Sequence, residues 1–372
     1  MRHNGIVSQS LSLLERMVSI PSLSGDESAV AEVLTKHIAA LSPDENYRIG
    51  NSVVAVWRGT EPGPTLLLCS HIDTVAPANG WTKDPFTPTH DGDRLYGLGT
   101  NDAGGSVVSL IGAVASLKPL QRGTIVLCLA AEEESGSNGF MAIEPKLPRY
   151  DAAIFGEPTS MGVAAEMRGA LRLLMRSRGI AAHASRPWEG KNAVDTLMSD
   201  LAKIRALDLT DDSPWGGATI EPTVLQGGTS PNQLPDLITT TLDIRTTPKR
   251  NNTWIIDRLS HHGIEFEVLA DRRKPMRNDL NQPLMRAIGE ASPHTPRYTF
   301  NGTCDMAFAT APSVVMGPGH STRSHIADEF ITRIEIAEAI EGYAAVIERY
   351  LESDSSSRSG AERPISWSSV NS

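Results

Sequence analysis

Seven acid and imidazole side chains near the ends of apolar runs carry the chemical content of this chain: His71 and Asp73, Asp102, Glu133 and Glu134, Glu157 and, far downstream, His325. Imidazole nitrogens and carboxylate oxygens are the donors that zinc-type dications take. Two imidazoles and three or four carboxylates delivered to one place meet the needs of a hydrolytic two-metal centre.

Each segment also has a plainer reading. In Leu66-Leu67-Leu68-Cys69-Ser70-His71-Ile72-Asp73, His71 lies just past a buried strand, where open α/β sheets hold ligands. Asp73 can accept the second ring N–H of His71 and fix its tautomer; alternatively the pair is a loop histidine beside a turn carboxylate. Asp102 sits among Gly97, Gly99, Gly104 and Gly105, where unusual backbone geometry is permitted, and it is equally a helix N-cap. Glu132-Glu133-Glu134 follows an apolar run directly. Adjacent carboxylates raise one another's pKa unless a cation neutralises them, although an exposed acidic loop has the same composition. Glu157 repeats the strand-end theme, and His325 comes shortly before a helix start, with His320 as its competitor.

The elements that must position these groups alternate in type. Leu11, Leu13, Leu14, Met17, Val18 and Ile20 predict a helix that Pro21 stops, and Ser24 with Glu27 predicts a capping box for a second helix through Ile38. Apolar runs at 53–57, 65–69, 125–130 and 152–155 predict central strands covered on both faces, and Gly104-Gly105 opens a crossover helix to Leu117. From Leu171 to Leu269 the order becomes strand, helix, strand, strand, helix, strand, an inserted ferredoxin-like unit. A helix over 284–291, a strand over 313–316 and a helix from Thr332, capped with Glu335, then resume the first pattern. The expected architecture is therefore α/β: a discontinuous catalytic domain, 1–166 and 278–352, with a mixed central sheet flanked by helices, an inserted α+β domain, 167–277, and a disordered tail, 353–372. His325 can meet His71 only if the first domain is discontinuous.

A chain of 372 residues suits two domains. A formal charge of -10 without a Lys/Arg cluster argues against a nucleic-acid partner. Cys69, Cys128 and Cys304 are odd in number and far apart, which favours reduced core thiols over a disulfide framework. No apolar run is long enough for a membrane span, and Glu15 and Arg16 interrupt the only candidate signal-peptide core, so the expected compartment is the cytoplasm.

Taken together, the five segments around His71, Asp102, Glu132-Glu133-Glu134, Glu157 and His325-Ile326-Ala327-Asp328-Glu329-Phe330 resemble the zinc aminoacylase and carboxypeptidase family, which contains acetylornithine deacetylase, succinyl-diaminopimelate desuccinylase, glutamate carboxypeptidase and several dipeptidases. The resemblance runs from about Leu11 to Leu351. It implies two divalent ions, zinc or cobalt, bridged by Asp102, with His71 and Glu157 completing one site and Glu134 and His325 the other. Glu133 is then the general base, Asp73 the partner of His71, and a cis peptide follows Asp102. Charge counting agrees, because two dications exceed Asp102, Glu134 and Glu157 by one positive charge, which a hydroxide cancels.

In the inserted domain, Ala182-His183-Ala184-Ser185 resembles the family's lid segment, whose histidine serves its own active site or a partner's, implying a homodimer through that domain. His183 can otherwise be a structural loop histidine. Asn232 and Arg245 resemble residues that hold the substrate's α-carboxylate; Arg245 could instead pair with Asp243. Gly302, Thr303 and Gly317-Pro318-Gly319 are expected as pocket walls. Ala103 and Gly104 stand where many members carry methionine and lysine. Gly-Pro-Gly followed by the His325 motif looks closest to acetylornithine deacetylase, so the expected activity is removal of an N-acyl group from a small-molecule amino acid such as N-acetylornithine or N-acetylcitrulline. A dipeptidase, carboxypeptidase or desuccinylase with the same centre is the alternative, and a metal-dependent binding protein without turnover the remote one.

Overall fold

The computed structural model describes residues 2–292 and 294–353, so all but the first residue of the expected tail lies outside the described residues. The chain divides into two compact units. The second comprises Glu166–Arg277 and Thr299–Thr303, and the first holds the other described residues. The expected boundaries place Gly302 and Thr303 in the catalytic domain. They belong to the second because Phe300 bridges to Met167 and the Arg273 guanidinium donates to Thr303 Oγ1 at 2.8 Å.

The first unit is built on a six-stranded mixed sheet in the order Glu45–Ile49, Ser52–Arg58, Arg122–Ala130, Glu61–His71, Ala152–Phe155, Ser313–Val315. The last four strands are mutually parallel, and the first two run antiparallel to their neighbours. Leu66, Leu67, Leu68 and Cys69 are all fully buried, as strands covered on both faces must be. One core joins Leu66 and Leu68 to Leu14 of helix Arg2–Val18, to Val107 and Leu110 of helix Gly105–Ser116, and to Ile340 and Tyr343 of helix Arg333–Glu352. Cys69 and Cys128 face each other in register, and with Cys304 they are buried, as core thiols are.

The two predicted capping boxes have different fates. At the C-terminal helix the box forms: Glu335 N–H donates to Thr332 Oγ1 at 3.1 Å, and Thr332 N–H donates to Glu335 Oε2 at 2.9 Å. At Ser24 it does not. The helix there is Ser28–Ala39 with Glu27 at its N-cap, and the Ser24 hydroxyl donates to Asp73 Oδ2 at 2.7 Å instead. Glu27 is fully buried, where it accepts from Gly25 N–H at 2.6 Å and from Asn51 Nδ2 at 2.9 Å. A stronger acceptor and a long-range partner thus outcompete the local box.

The second unit has the predicted order. Its antiparallel sheet runs Thr219–Gly227, Leu237–Thr246, Gly169–Arg178, Phe266–Arg273, with helices Ala193–Arg205 and Asn252–His261 as the two crossovers. Burial alternates along Leu237–Thr246, and Leu171, Leu173, Met175, Leu242 and Ile244 form a core with Leu197, Ile255 and Leu259 of the helices. Asn192 and Asn251 cap the helices by accepting from Val194 N–H and Trp254 N–H, both at 2.9 Å.

Thr332→Ala removes one half of the C-terminal capping box, and the helix it opens packs across the core of the first unit. Chemical denaturation is expected to show a loss of about 1 kcal/mol. An unchanged midpoint would mean that the box contributes nothing to the native state.

Candidate metal centre

Three adjacent parallel strands bring the ligand candidates together. His71 is the last residue of Glu61–His71 and sits in register with Ala130, while Cys69 sits opposite Phe155. Glu133 and Glu134 leave the strand ending at Ala130, and Glu157 leaves the one ending at Phe155, so four side chains emerge on one rim. Asp102 is held above that rim in the turn Thr100–Gly104 that precedes helix Gly105–Ser116. Its backbone is non-helical (φ -122°, ψ 96°), and the cap of the following helix makes no side-chain hydrogen bond, so Asp102 is not an N-cap. The Asp102–Ala103 peptide is cis, as the resemblance implied. Gly99 supplies the turn with φ +75°, and a Cβ there would lie 2.6 Å from Thr74 Cγ2. The strand Phe330–Thr332 pairs with Arg94–Tyr96, which delivers the preceding loop and His325 to the same place.

Asp102 stands between the two imidazoles. Its Oδ1 lies 3.1 Å from His71 Nε2, and its Oδ2 lies 3.6 Å from His325 Nε2. His71 Nε2 also lies 4.0 Å from Glu157 Oε2, and His325 Nε2 lies 2.8 Å from Glu134 Oε1. One donor atom from each of His71, Asp102 and Glu134 falls within a sphere of mutual separation of 4.8 Å. His320 is not part of the group: its ring faces Thr322 Oγ1 at 2.8 Å, and its backbone N–H donates to Asn101 Oδ1 at 2.9 Å. Gly317 passes close beneath, where a Cβ would come within 2.5 Å of the Glu157 carbonyl oxygen.

The electrostatics follow from this crowding. Burial pushes the Glu157 carboxyl well above the usual range, and the charges of Asp102, Glu133 and Glu134 add to the rise while His71 opposes it. Burial works against a charged His71, yet its hydrogen bonds to Asp102 and Asp73 raise it well above the ordinary imidazole value. His325 is pushed up to about 9, chiefly by its hydrogen bond with Glu134. Nitrogen and oxygen donors converging around surplus negative charge suit divalent cations, which would relieve the repulsion that adds to the effect of burial on Glu157. Glu133 is buried beside them, and its charge acts on both Glu157 and the Cys304 thiol.

Asp73 meets His71 through its backbone as well as its side chain. The nearer acceptor for His71 Nδ1 is the Asp73 backbone carbonyl at 3.0 Å, and the carboxylate oxygen is 3.5 Å away. The carboxylate also accepts from Glu133 N–H and Glu134 N–H, both at 3.0 Å, and from Ser24 Oγ. A two-residue separation lets the backbone of Asp73 orient the imidazole while its side chain ties down the next loop.

The family model of peptidases M20/M25/M40 matches residues 67–352. The chain belongs to this family. It is 28% identical over 354 residues to a putative succinyl-diaminopimelate desuccinylase of Mycobacterium tuberculosis, covering 92% of this chain and 97% of that one. Its fold is similar to that of a tripeptidase from Staphylococcus aureus, at 20% identity and TM-score 0.78, covering 93% of this chain and 99% of that one. It is also similar to a Bacillus subtilis M20 peptidase described as dinuclear metal binding, at 16% identity and TM-score 0.70, covering 94% and 99%. This M20 protein is therefore a metallo-amidohydrolase by family, with a His/Asp/Glu group able to bind metal. Among the described residues, no helix is long and apolar enough to cross a membrane.

The other predicted residues lie in the second unit. His183 is exposed, with its ring Nδ1 2.8 Å from Ser185 Oγ; it bridges to Gln233, and Ala184 N–H donates to the Asn232 carbonyl at 2.8 Å, so the His183 and Asn232 segments are neighbours. Arg245 does pair with Asp243, Nε to Oδ1 at 2.8 Å. Sequence reasoning missed Glu329. This buried carboxyl accepts from Gly99 N–H at 3.1 Å, Asn101 N–H at 2.8 Å and Asp102 N–H at 2.9 Å, and burial with the Asp102 charge pushes it up to about 8. The available signal was its place in the His325-Ile326-Ala327-Asp328-Glu329-Phe330 segment, which marks the residue but not its partners.

Asp73→Asn keeps the volume but replaces one of two accepting oxygens with an N–H₂ group facing a backbone donor. Zinc or cobalt titration is expected to show metal affinity weakened roughly 10- to 100-fold. Wild-type affinity in that variant would remove Asp73 from the support of the centre.

Proposed function

We propose that the protein removes the acyl group of an N-acyl amino acid, with N-acetylornithine or N-acetylcitrulline as the leading substrates. His71, Asp102, Glu134, Glu157 and His325 are the proposed ligands of two divalent cations, zinc or cobalt. The observation that carries the reading is the placement of the two Asp102 oxygens towards two different imidazoles, with Glu133 buried at the edge of the group.

Two cations bound there would polarise the scissile carbonyl and acidify a water molecule. Glu133 takes a proton from that water as its oxygen adds to the acyl carbon, and gives the proton to the amine nitrogen as the C–N bond breaks. Asp73 holds the backbone from which Glu133 projects. In the second unit, His183 is the proposed donor to the developing oxyanion, and Arg245 and Asn232 the proposed grip on the α-carboxylate. Gly302 and Thr303 are proposed to border the substrate. A homodimer through the second unit, with His183 serving its own or the partner's centre, belongs to the same proposal.

A second reading, a dicarboxylate-bearing acyl group such as succinyl, is favoured by the arginines of the second unit. Arg245 and Arg273 are the register partners of Ala170 on either side, and burial first, then the charge of Arg245, lowers the pKa of Arg168. Three guanidinium groups at one end of a sheet suit a substrate with more than one carboxylate. The desuccinylase relative supports the same direction.

Amine release from N-acetylornithine, N-acetylcitrulline, N-succinyl-diaminopimelate and a simple dipeptide, each with zinc or cobalt, separates the readings. Release from the acetyl substrates supports the leading one, release from the succinyl substrate alone supports the second, and no release from any would favour a binding protein. Glu133→Ala is expected to retain bound metal by elemental analysis while losing roughly 10²- to 10⁴-fold or more in turnover. Substantial activity in that variant would refute the assigned base.

A further inference from the structure

Glu329 presents its two carboxylate oxygens to one turn. Oε1 accepts from both Asn101 N–H and Asp102 N–H, at 2.8 and 2.9 Å, and Oε2 accepts from Gly99 N–H at 3.1 Å. Its burial is nearly complete, at 2% exposure, so these donors are not exchanged for water at the surface. The turn it grips runs through Gly99 in the left-handed region and through the non-helical backbone of Asp102. Neither residue's amide is satisfied by a regular helix, and a carboxylate is the strongest acceptor a side chain can offer to several backbone donors at once.

The segment bearing Glu329 also bears His325. Next to it, Asp328 accepts from Thr82 N–H at 2.9 Å, Thr82 Oγ1 at 2.7 Å and Lys83 N–H at 3.3 Å, which pins the same loop to a second part of the first unit. The Asn101 side chain closes the arrangement from the other side, donating to the His320 carbonyl at 3.1 Å and to Ser324 Oγ at 3.2 Å. The Asp102 turn and the His325 loop are therefore bonded to each other through groups that are not themselves among the ligand candidates.

We propose that Glu329 is a positioning residue that builds the Asp102 turn, and registers it against the His325 loop, before any metal arrives. The centre is then preorganised by the chain, and cations enter a turn already aimed at them. This inference rests on the reading of Asp102 as a metal ligand.

Glu329→Gln is the discriminating variant, because it preserves volume and one accepting oxygen but turns an N–H₂ group towards a backbone N–H. Hydrogen exchange of peptides spanning 97–104 in the metal-stripped wild-type protein is expected to be slow, and in metal-stripped E329Q fast. Zinc or cobalt affinity of E329Q is expected to fall roughly 10- to 100-fold, with exchange in the strands of the central sheet unchanged. A role in filling space alone would leave both readouts unmoved. If E329Q does not fold, the wild-type measurement still decides: rapid exchange over 97–104 in the metal-free protein overturns the proposal, and protection supports it. Wild-type metal affinity in a folded E329Q overturns it as well. A wild-type protein that takes up no metal would instead overturn the reading of the centre itself, and with it this inference.

Discussion

Carboxylates gathered at the carboxyl ends of parallel strands repel one another, and the first unit is arranged around containing that repulsion. Glu133, Glu134 and Glu157 emerge from strands that flank the one ending at His71, and Asp102 comes down on them from a turn. Left to itself such a group would splay into solvent or bind protons, and the Glu157 carboxyl, raised first by burial and further by its acidic neighbours, shows that pressure. What holds the side chains in place is backbone geometry set further back. The strands are fully buried on both faces, so a one-residue slip would exchange side chains between two differently packed faces and displace the rim.

A second set of acids, none of them a ligand candidate, works in support. Glu27 accepts from Gly25 N–H and Glu132 N–H, Asp73 from Glu133 N–H and Glu134 N–H, and Glu329 from Gly99, Asn101 and Asp102 N–H. Each buried carboxylate is thereby matched to otherwise unsatisfied backbone donors of an irregular segment, which removes two desolvation costs with one interaction. Irregular backbone is what lets Asp102 and Glu133 point where a helix or strand would not take them. The supporting acids make that backbone specific rather than merely loose.

Legibility in the sequence followed the same division. Runs such as Leu66–Cys69 and the alternation along Leu237–Thr246 announced strands because burial imposes a period on local sequence. The βαββαβ order was readable for that reason, and so was the capping box at Thr332 and Glu335, whose partners lie three residues apart. The candidate ligands were visible as polar exceptions at the ends of apolar runs. What could not be read were partnerships spanning long separations. Ser24 looked like a cap because Glu27 was nearby, yet its hydroxyl goes to Asp73, 49 residues away. Glu329 reaches a turn more than 200 residues upstream, and Thr299–Thr303 joins the second unit by pairing with Met167 and Arg273. No local pattern encodes such choices, since any surface acid has the same one-letter signature.

The central mixed sheet and the long-range acids also divide the work between rigidity and chemistry. Apolar register alone would deliver His71, Glu133, Glu134 and Glu157, which come from neighbouring strands. It could not deliver Asp102 or His325, because the first sits in a turn and the second in a loop from the far end of the chain. Those two are groups on which the proposed pair of cations would depend, and they are the two that the Glu329 segment bonds together. A chain that folds its sheet correctly but lacks that link would hold half a donor set on a stable scaffold. Cooperation between the two halves of the proposed centre is therefore a property of hydrogen bonds to the backbone, added to a core that would stand without them.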